Sequence, residues 1–137
     1  MHEQSSIETM IAARSVGVTR SAQESGMAKL TPLHREIVGG MPRLPDQEIC
    51  VLLATLLPGD VTPRHSHRHP VTVLVLEGTF TLALDGREPV AIAAGEVFVE
   101  PAGIAMTGAN CGDVPLRTAL FYVCEPDAPF ADPAPPR

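Results

Sequence analysis

The sequence predicts an all-β domain, and three observations lead to that prediction. Of the 137 residues 45% are hydrophobic but only 4% are aromatic, so aliphatic side chains must fill the core. The β-branched members of that group favour strands. The 11 Gly and 14 Pro residues stand mostly between short apolar runs. Turn signals recur about every 8 to 12 residues, a spacing that is typical of β-sandwiches and barrels.

The first half of the chain holds an arm and two predicted strands. Residues 1–28 have weak periodicity and are expected to form a partly ordered N-terminal arm. A short strand is expected at 33–38. The run 48–57 is almost entirely apolar and ends at Pro58-Gly59, which predicts a strand covered on both faces, with a helix as the alternative.

The second half continues as short strands separated by turns. Asp85-Gly86 is a strong hairpin signal. Residues 125–137 contain five Pro, which lack the N–H that a sheet interior needs, so this segment is predicted to be an extended surface tail. We therefore expect one barrel domain over 29–124. Its later strands are predicted at 71–76, 79–84, 89–93, 97–99, 104–109 and 116–124.

Charge and cysteine usage exclude several classes of function. The net charge is −6 and the ten Lys and Arg residues are scattered, which argues against nucleic-acid partners. No apolar run reaches the roughly 18 residues of a membrane span, and the N-terminus does not read as a secretory signal, so no membrane partner is expected. Cys50, Cys111 and Cys124 are odd in number and lack CxxC spacing. This argues against a disulfide framework and predicts a cytoplasmic location.

The chemically most distinctive stretch is 58–70, where His65, His67 and His69 stand at alternate positions. Alternate residues of an extended strand point to one face, and neutral imidazole is the commonest metal ligand in proteins. The stretch therefore predicts a metal site, with a solvated His-rich loop as the alternative. His65 and His69 would be about 13 Å apart on a regular strand, so all three reach one ion only if the chain bends, as it could at Pro70.

Two motifs in register resemble those of the cupins, over about residues 45–124. The first comprises Gly59, His65-x-His67 and Gly78, and the second comprises Gly95, Pro101-x-Gly103, Met106 and Asn110. The resemblance implies a single jelly-roll β-barrel. It also implies a metal site, because the first cupin motif ordinarily supplies two histidines and a glutamate, and the second supplies a third histidine.

Carried over by residue, the resemblance implies a reduced site. His65 and His67 match the two histidines, while the glutamate position falls on Val71 and the third histidine on Met106. A thioether at Met106 would shift the site towards softer ions, unless this side chain only fills the barrel floor. The candidate metal ligands are therefore His65, His67, Met106 and His69.

Two functions follow as hypotheses. One is a divergent metal-binding cupin that acts on a small organic acid or carbonyl compound, with a divalent or transition metal ion and no organic cofactor. The other is a metal-free module that binds a small-molecule ligand without catalysis. The apolar run 48–57 further suggests a homodimer in which one face of this strand packs on a second copy.

Overall fold

The computed structural model describes residues 28–136 of a chain that divides into two units, 1–35 and 36–137. Apart from its last residue, the arm predicted at 1–28 lies outside the described residues. Within the first unit, residues 28–35 are exposed and have no regular secondary structure.

Nine antiparallel strands and no helix are present in the described residues, which confirms the all-β prediction. Four strands form one sheet in the order β1-β8-β3-β6, and five form a second in the order β5-β4-β7-β2-β9. No helix within 28–136 is long and apolar enough to cross a membrane. The strands are β1 Glu48–Leu56, β2 His65–Ser66, β3 Val71–Glu77, β4 Thr79–Leu84, β5 Val90–Ala93, β6 Val97–Glu100, β7 Met106–Ala109, β8 Leu116–Cys124 and β9 Asp132–Pro133.

The core lies between the two sheets because their strands alternate apolar residues inward. In β3, Val71, Val73 and Val75 are fully buried while the residues between them are only partly buried. The predicted strands at 79–84 and 116–124 are confirmed at both ends. The strand predicted at 33–38 is wrong. All six of its residues are exposed and irregular, so burial against a core does not hold them in an extended conformation.

The outer face of β1 is uncovered. Ile49, Val51 and Leu53 are 76%, 62% and 41% exposed, although the composition of this strand predicts cover on both faces. That prediction is wrong for the single chain, because only the inner residues of β1 pack on the core while those of its outer face are exposed. Phe121 of β8 lies opposite Val51 and extends the exposed apolar surface.

Part of the Pro-rich tail pairs with the barrel. Strand β9 adds to the edge of the second sheet beside β2, with Asp132 opposite Ser66 and Pro133 opposite His65. An edge strand can accommodate Pro, because one side of its backbone needs no hydrogen-bond donor. The Ala134 N–H donates to the Arg64 carbonyl at 3.0 Å, and the Arg64 guanidinium donates to the Pro135 carbonyl. The tail is therefore extended, as predicted, and is also held to the barrel.

Candidate functional site

The histidine stretch bends instead of forming one straight strand. Strand β2 contains only two residues, with Pro63 and Pro70 on either side of the histidines, and His65 pairs with Met106 of β7. The rings of His65 and His67 lie together, with centroids 5.0 Å apart in an edge-to-face arrangement. His69 faces a different set of partners.

His67 is the most constrained of the three histidines. Its side chain is 1% exposed, and its Nδ1 donates a hydrogen bond to the Phe130 carbonyl at 2.7 Å. A carbonyl only accepts, so this contact places a proton on Nδ1. The Nε2 atom lies 3.2 Å from Oε1 of Glu100. The backbone is fixed as well, because the Gly103 N–H donates to the His67 carbonyl at 2.7 Å.

The surroundings of His67 favour its charged form. Burial lowers the pKa of His67, but the hydrogen bonds to Glu100 and to the Phe130 carbonyl outweigh burial and raise the pKa overall. With no metal bound, Nε2 of His67 and Oε1 of Glu100 are in buried hydrogen-bond contact. A cation at this position would have to displace the proton on Nε2.

Glu100 is a site residue that the motif comparison misses. It ends β6, is 4% exposed, and lies directly opposite Val71 in the antiparallel register. Opposite residues share a face of the sheet, so Glu100 brings a carboxylate close to the position where the cupin motif has its glutamate. The sequence signal for Glu100 is its position in β6, two residues after Phe98 and therefore on the same inward face. A glutamate on an inward face is rarely buried unless it is paired.

His65 presents its ring in the same way as His67. Its Nδ1 donates to the Pro63 carbonyl at 2.7 Å, which leaves a lone pair on Nε2. Among residues 28–136 this Nε2 has no hydrogen-bond partner. A histidine that donates Nδ1–H to a backbone carbonyl and offers Nε2 is arranged as metal-binding histidines commonly are.

His69 lacks a free lone pair. Its Nδ1 donates to the Gly40 carbonyl at 2.7 Å, and its Nε2 lies 2.8 Å from Oε2 of Glu125. Burial lowers the pKa of His69, but the hydrogen bonds to the Gly40 carbonyl and to Glu125 outweigh burial and raise the pKa overall, and both ring nitrogens are engaged by these partners. These contacts join the segment before β1 to the end of β8, so His69 has a structural role.

A cavity of about 160 Å³ lies between the two sheets. Its walls are largely apolar, and His65, His67 and Glu100 supply charged or titratable groups. Val71 and Met106 are buried in the core and are not among the lining residues. The other lining residues in the described part of the chain are Ala54, Leu56, Thr62, Phe80, Gly108, Leu116, Thr118, Leu120 and Phe130.

The donor types at this cavity fit a divalent metal ion. Two imidazole Nε2 atoms and one carboxylate form the set that holds non-haem iron in many proteins, and similar sets hold manganese or zinc. The 3.2 Å between His67 Nε2 and Glu100 Oε1 is close to the spacing of neighbouring ligands on one ion. Within residues 28–136 the donor atoms of His65, His67 and Glu100 do not all lie within 4.8 Å of one another, so His65 has to turn towards the other two.

The chain belongs to the cupin family, since residues 52–123 match the cupin domain. Among solved structures, it is similar to a protein of unknown function from Streptococcus pyogenes. The two are 26% identical, the match covers 62% of this chain and 71% of that one, and the TM-score is 0.51. A comparison with curated proteins finds no match.

Two further structures share the fold at lower identity. An RmlC-like cupin with a double-stranded β-helix fold from Methanocaldococcus jannaschii is 22% identical, with 57% of this chain and 72% of that chain covered and a TM-score of 0.54. The DMSP lyase DddQ from Ruegeria pomeroyi is 15% identical, with 62% and 42% covered and a TM-score of 0.55.

Proposed function

We propose that this cupin binds a divalent metal ion in the barrel through His65, His67 and Glu100. The observation that carries the proposal is the buried Glu100 carboxylate, 3.2 Å from Nε2 of His67 and opposite Val71 in the sheet. It supplies the anionic oxygen donor that the motif positions lack, so the donor set is larger than two histidines. We leave His69 out of the set because both of its nitrogens are hydrogen-bonded.

The cavity suits a small organic acid or carbonyl compound as the ligand. Its volume of about 160 Å³ suits a small molecule, and its walls are largely apolar. Phe130 and Phe80 would pack against the carbon skeleton of the ligand, while His65 and Glu100 stand where its polar end would lie. A bound divalent ion would supply Lewis-acid polarisation of a carbonyl or carboxylate oxygen.

One observation favours a second function, a metal-free module that binds a small molecule. His67 and Glu100 already make a hydrogen-bond contact with each other, and apolar residues occupy both of the other cupin ligand positions, Val71 and Met106. In this case the pair would orient the ligand by hydrogen bonds alone.

Manganese binding to chelator-treated protein separates the two functions. We expect the wild type to bind one Mn²⁺ per chain, measured by electron paramagnetic resonance, because Mn²⁺ prefers oxygen and imidazole donors over thiolates. Glu100→Gln should lower the affinity by about tenfold or more, whereas Glu88→Gln, an exposed acid in the β4–β5 connection, should not change it. If Mn²⁺ does not bind but small organic acids raise the melting temperature, the metal-free module is supported.

We also infer a homodimer and a cytoplasmic location. The uncovered apolar face of β1 supports the first, and the three free thiols of the described chain support the second. Detection of the native protein outside the cytoplasm by cell fractionation would contradict the location.

A further inference from the structure

A second cluster of metal-binding side chains lies between the start of β1 and the end of β8. Glu48 pairs with Cys124 in the register of these strands, and Cys50 is two residues further along β1. All three side chains therefore point to the same face of the sheet. One ligand atom from each of the three lies within 4.8 Å of the other two. None of them lines the barrel cavity.

The Glu48 carboxylate of this cluster accepts a hydrogen bond at each of its two oxygens. Its Oε1 accepts the backbone N–H of Asp127 at 3.0 Å, and its Oε2 accepts the Cys50 thiol at 3.3 Å. Asp127 has a φ of +64°, which is uncommon for a residue other than glycine. Asp is one of the few non-glycine residues that adopt this conformation readily, and here it aims the Asp127 N–H at Glu48.

The two thiols are poorly placed for a disulfide. Cys50 and Cys124 are diagonal neighbours across the strand pair, because Cys50 lies opposite Tyr122. Diagonal positions in an antiparallel pair are about 7–8 Å apart, whereas cysteines more than about 7 Å apart at Cα cannot be bridged without backbone movement. A group that bridges the two sulfur atoms from between them suits this spacing better.

We propose that Glu48, Cys50 and Cys124 bind a zinc ion. Thiolates select zinc over magnesium or calcium, and a carboxylate in the set favours zinc over Cu⁺. With Zn–S near 2.3 Å and Zn–O near 2.1 Å, tetrahedral ligands are roughly 3.6 Å apart, close to the 3.3 Å between Cys50 Sγ and Glu48 Oε2. Binding releases the two thiol protons to solvent, and water takes the fourth position because Glu48 and Cys50 are only half-buried.

Cobalt substitution tests this site independently of the barrel. Co²⁺ bound to thiolate shows sulfur-to-metal charge-transfer absorption in the near ultraviolet, and the barrel donors include no thiol. The experiment uses the reduced full-length chain with the exposed Cys111 changed to Ser in every variant. We expect the absorption at one Co²⁺ per chain, its retention in Glu100→Gln, and displacement of Co²⁺ by Zn²⁺.

Two variants make the result decisive. Cys50→Ser should lower the Co²⁺ affinity by about tenfold or more and weaken the absorption. Glu48→Gln keeps both thiols and the side-chain volume, so it replaces Cys50→Ser as the test if that variant misfolds. It should weaken Co²⁺ binding while the charge-transfer absorption remains. Absence of the absorption in the folded parent protein, or unchanged affinity in both variants, would overturn the proposal. Because Glu100 has no part in this cluster, either site can fail without the other.

Discussion

At the scale of single residues, Asn110 shows how one motif position holds two loops. Its side chain is 1% exposed, and its Nδ2 donates to the carbonyls of Leu56 at 2.9 Å and Val114 at 2.8 Å. Its Oδ1 accepts the Gly112 N–H at 3.0 Å. Both amide protons and the oxygen are used, so only an amide of this size satisfies all the partners.

Changing Asn110 to Asp should therefore be costly. The substitution turns two donors into an oxygen that faces two carbonyl oxygens, and it buries a negative charge that only the Gly112 N–H would stabilise. We expect the free energy of unfolding to fall by about 3 kcal/mol or more in urea titrations followed by circular dichroism. Asp113→Asn in the same exposed turn should change it by less than about 0.5 kcal/mol. Equal midpoints for the two variants would contradict this account of Asn110.

Predictability at this scale depends on whether a residue's role is local. The spacing of His65 and His67 is visible in the sequence, and the structure brings their rings together. The role of Glu100 depends on which strand lies beside β3, and register across strands cannot be obtained from spacing along one strand. The separate partners of His69 likewise come from residues 29 positions before it and 56 positions after it.

At the scale of secondary-structure elements, β7 approaches β4 more closely than a side chain would allow. A Cβ added to Gly108 would lie 2.4 Å from Cε1 and 2.7 Å from Cζ of Phe80. The ring therefore covers the glycine, and both residues line the cavity. The absence of a side chain at 108 is what lets Phe80 form that wall.

Gly108→Ala should displace the Phe80 ring and strain the barrel. We expect a loss of about 1–3 kcal/mol in the free energy of unfolding, measured by urea titration. Gly39→Ala is the matched control, since a Cβ there meets nothing within 4 Å. If both alanine variants unfold at the same urea concentration, the close contact with Phe80 does not constrain the barrel.

The β9 strand is held by a pH-dependent contact. Arg68 donates two hydrogen bonds to the Asp132 carboxylate at 3.0 and 3.2 Å, and this contact holds the pKa of Asp132 below its usual value. A carboxylate with a lowered pKa stabilises the folded state above its unfolded pKa. That contribution is lost as the pH falls through the folded value.

Asp132→Asn should thus lower the melting temperature at neutral pH, and the difference from wild type should shrink below about pH 4. Calorimetry of both proteins from pH 7 to pH 3 measures this. Asp46→Asn, which changes an exposed acid before β1, is the matched control. A constant difference between wild type and Asp132→Asn across the whole range would exclude the contact with Arg68 as its cause.

At the scale of the whole molecule, the first sheet has two apolar faces. Its inner face packs in the core, while Ile49, Val51 and Leu53 of β1 and Phe121 of β8 are exposed on the other. Contiguous apolar surface of this kind marks interaction sites in soluble proteins. The composition of β1 is therefore that of a strand between two layers, although the single chain provides only one.

If a second copy supplies the other layer, Val51→Lys should dissociate it. We expect wild type to sediment as a dimer and the variant to have a dissociation constant raised by about tenfold or more, because each copy would bury an unpaired ammonium group in the apolar interface. Ala91→Lys places the same charge on an exposed strand of the other sheet and should leave the dimer intact. A monomeric wild type at micromolar concentration would refute the homodimer.

The fold was more predictable than the site for a physical reason. Strand alternation, the Asp85-Gly86 hairpin and the two motifs are local signals, and they predict seven of the nine described strands; they miss the two-residue strands β2 and β9 and wrongly add one at 33–38. The cavity is built from contacts between distant segments, such as the tail residue Phe130 against His67. Nothing in a run of Pro residues indicates where it docks.

The hydrogen bond from His67 to the Phe130 carbonyl also sets an order of assembly. The two residues are 63 positions apart, and Phe130 emerges from the ribosome after every strand of the core has been made. The barrel can therefore close around an imidazole whose tautomer is still free to change. A protease that clipped the chain after Cys124 would therefore remove an edge strand of the second sheet together with the carbonyl that fixes the tautomer of His67.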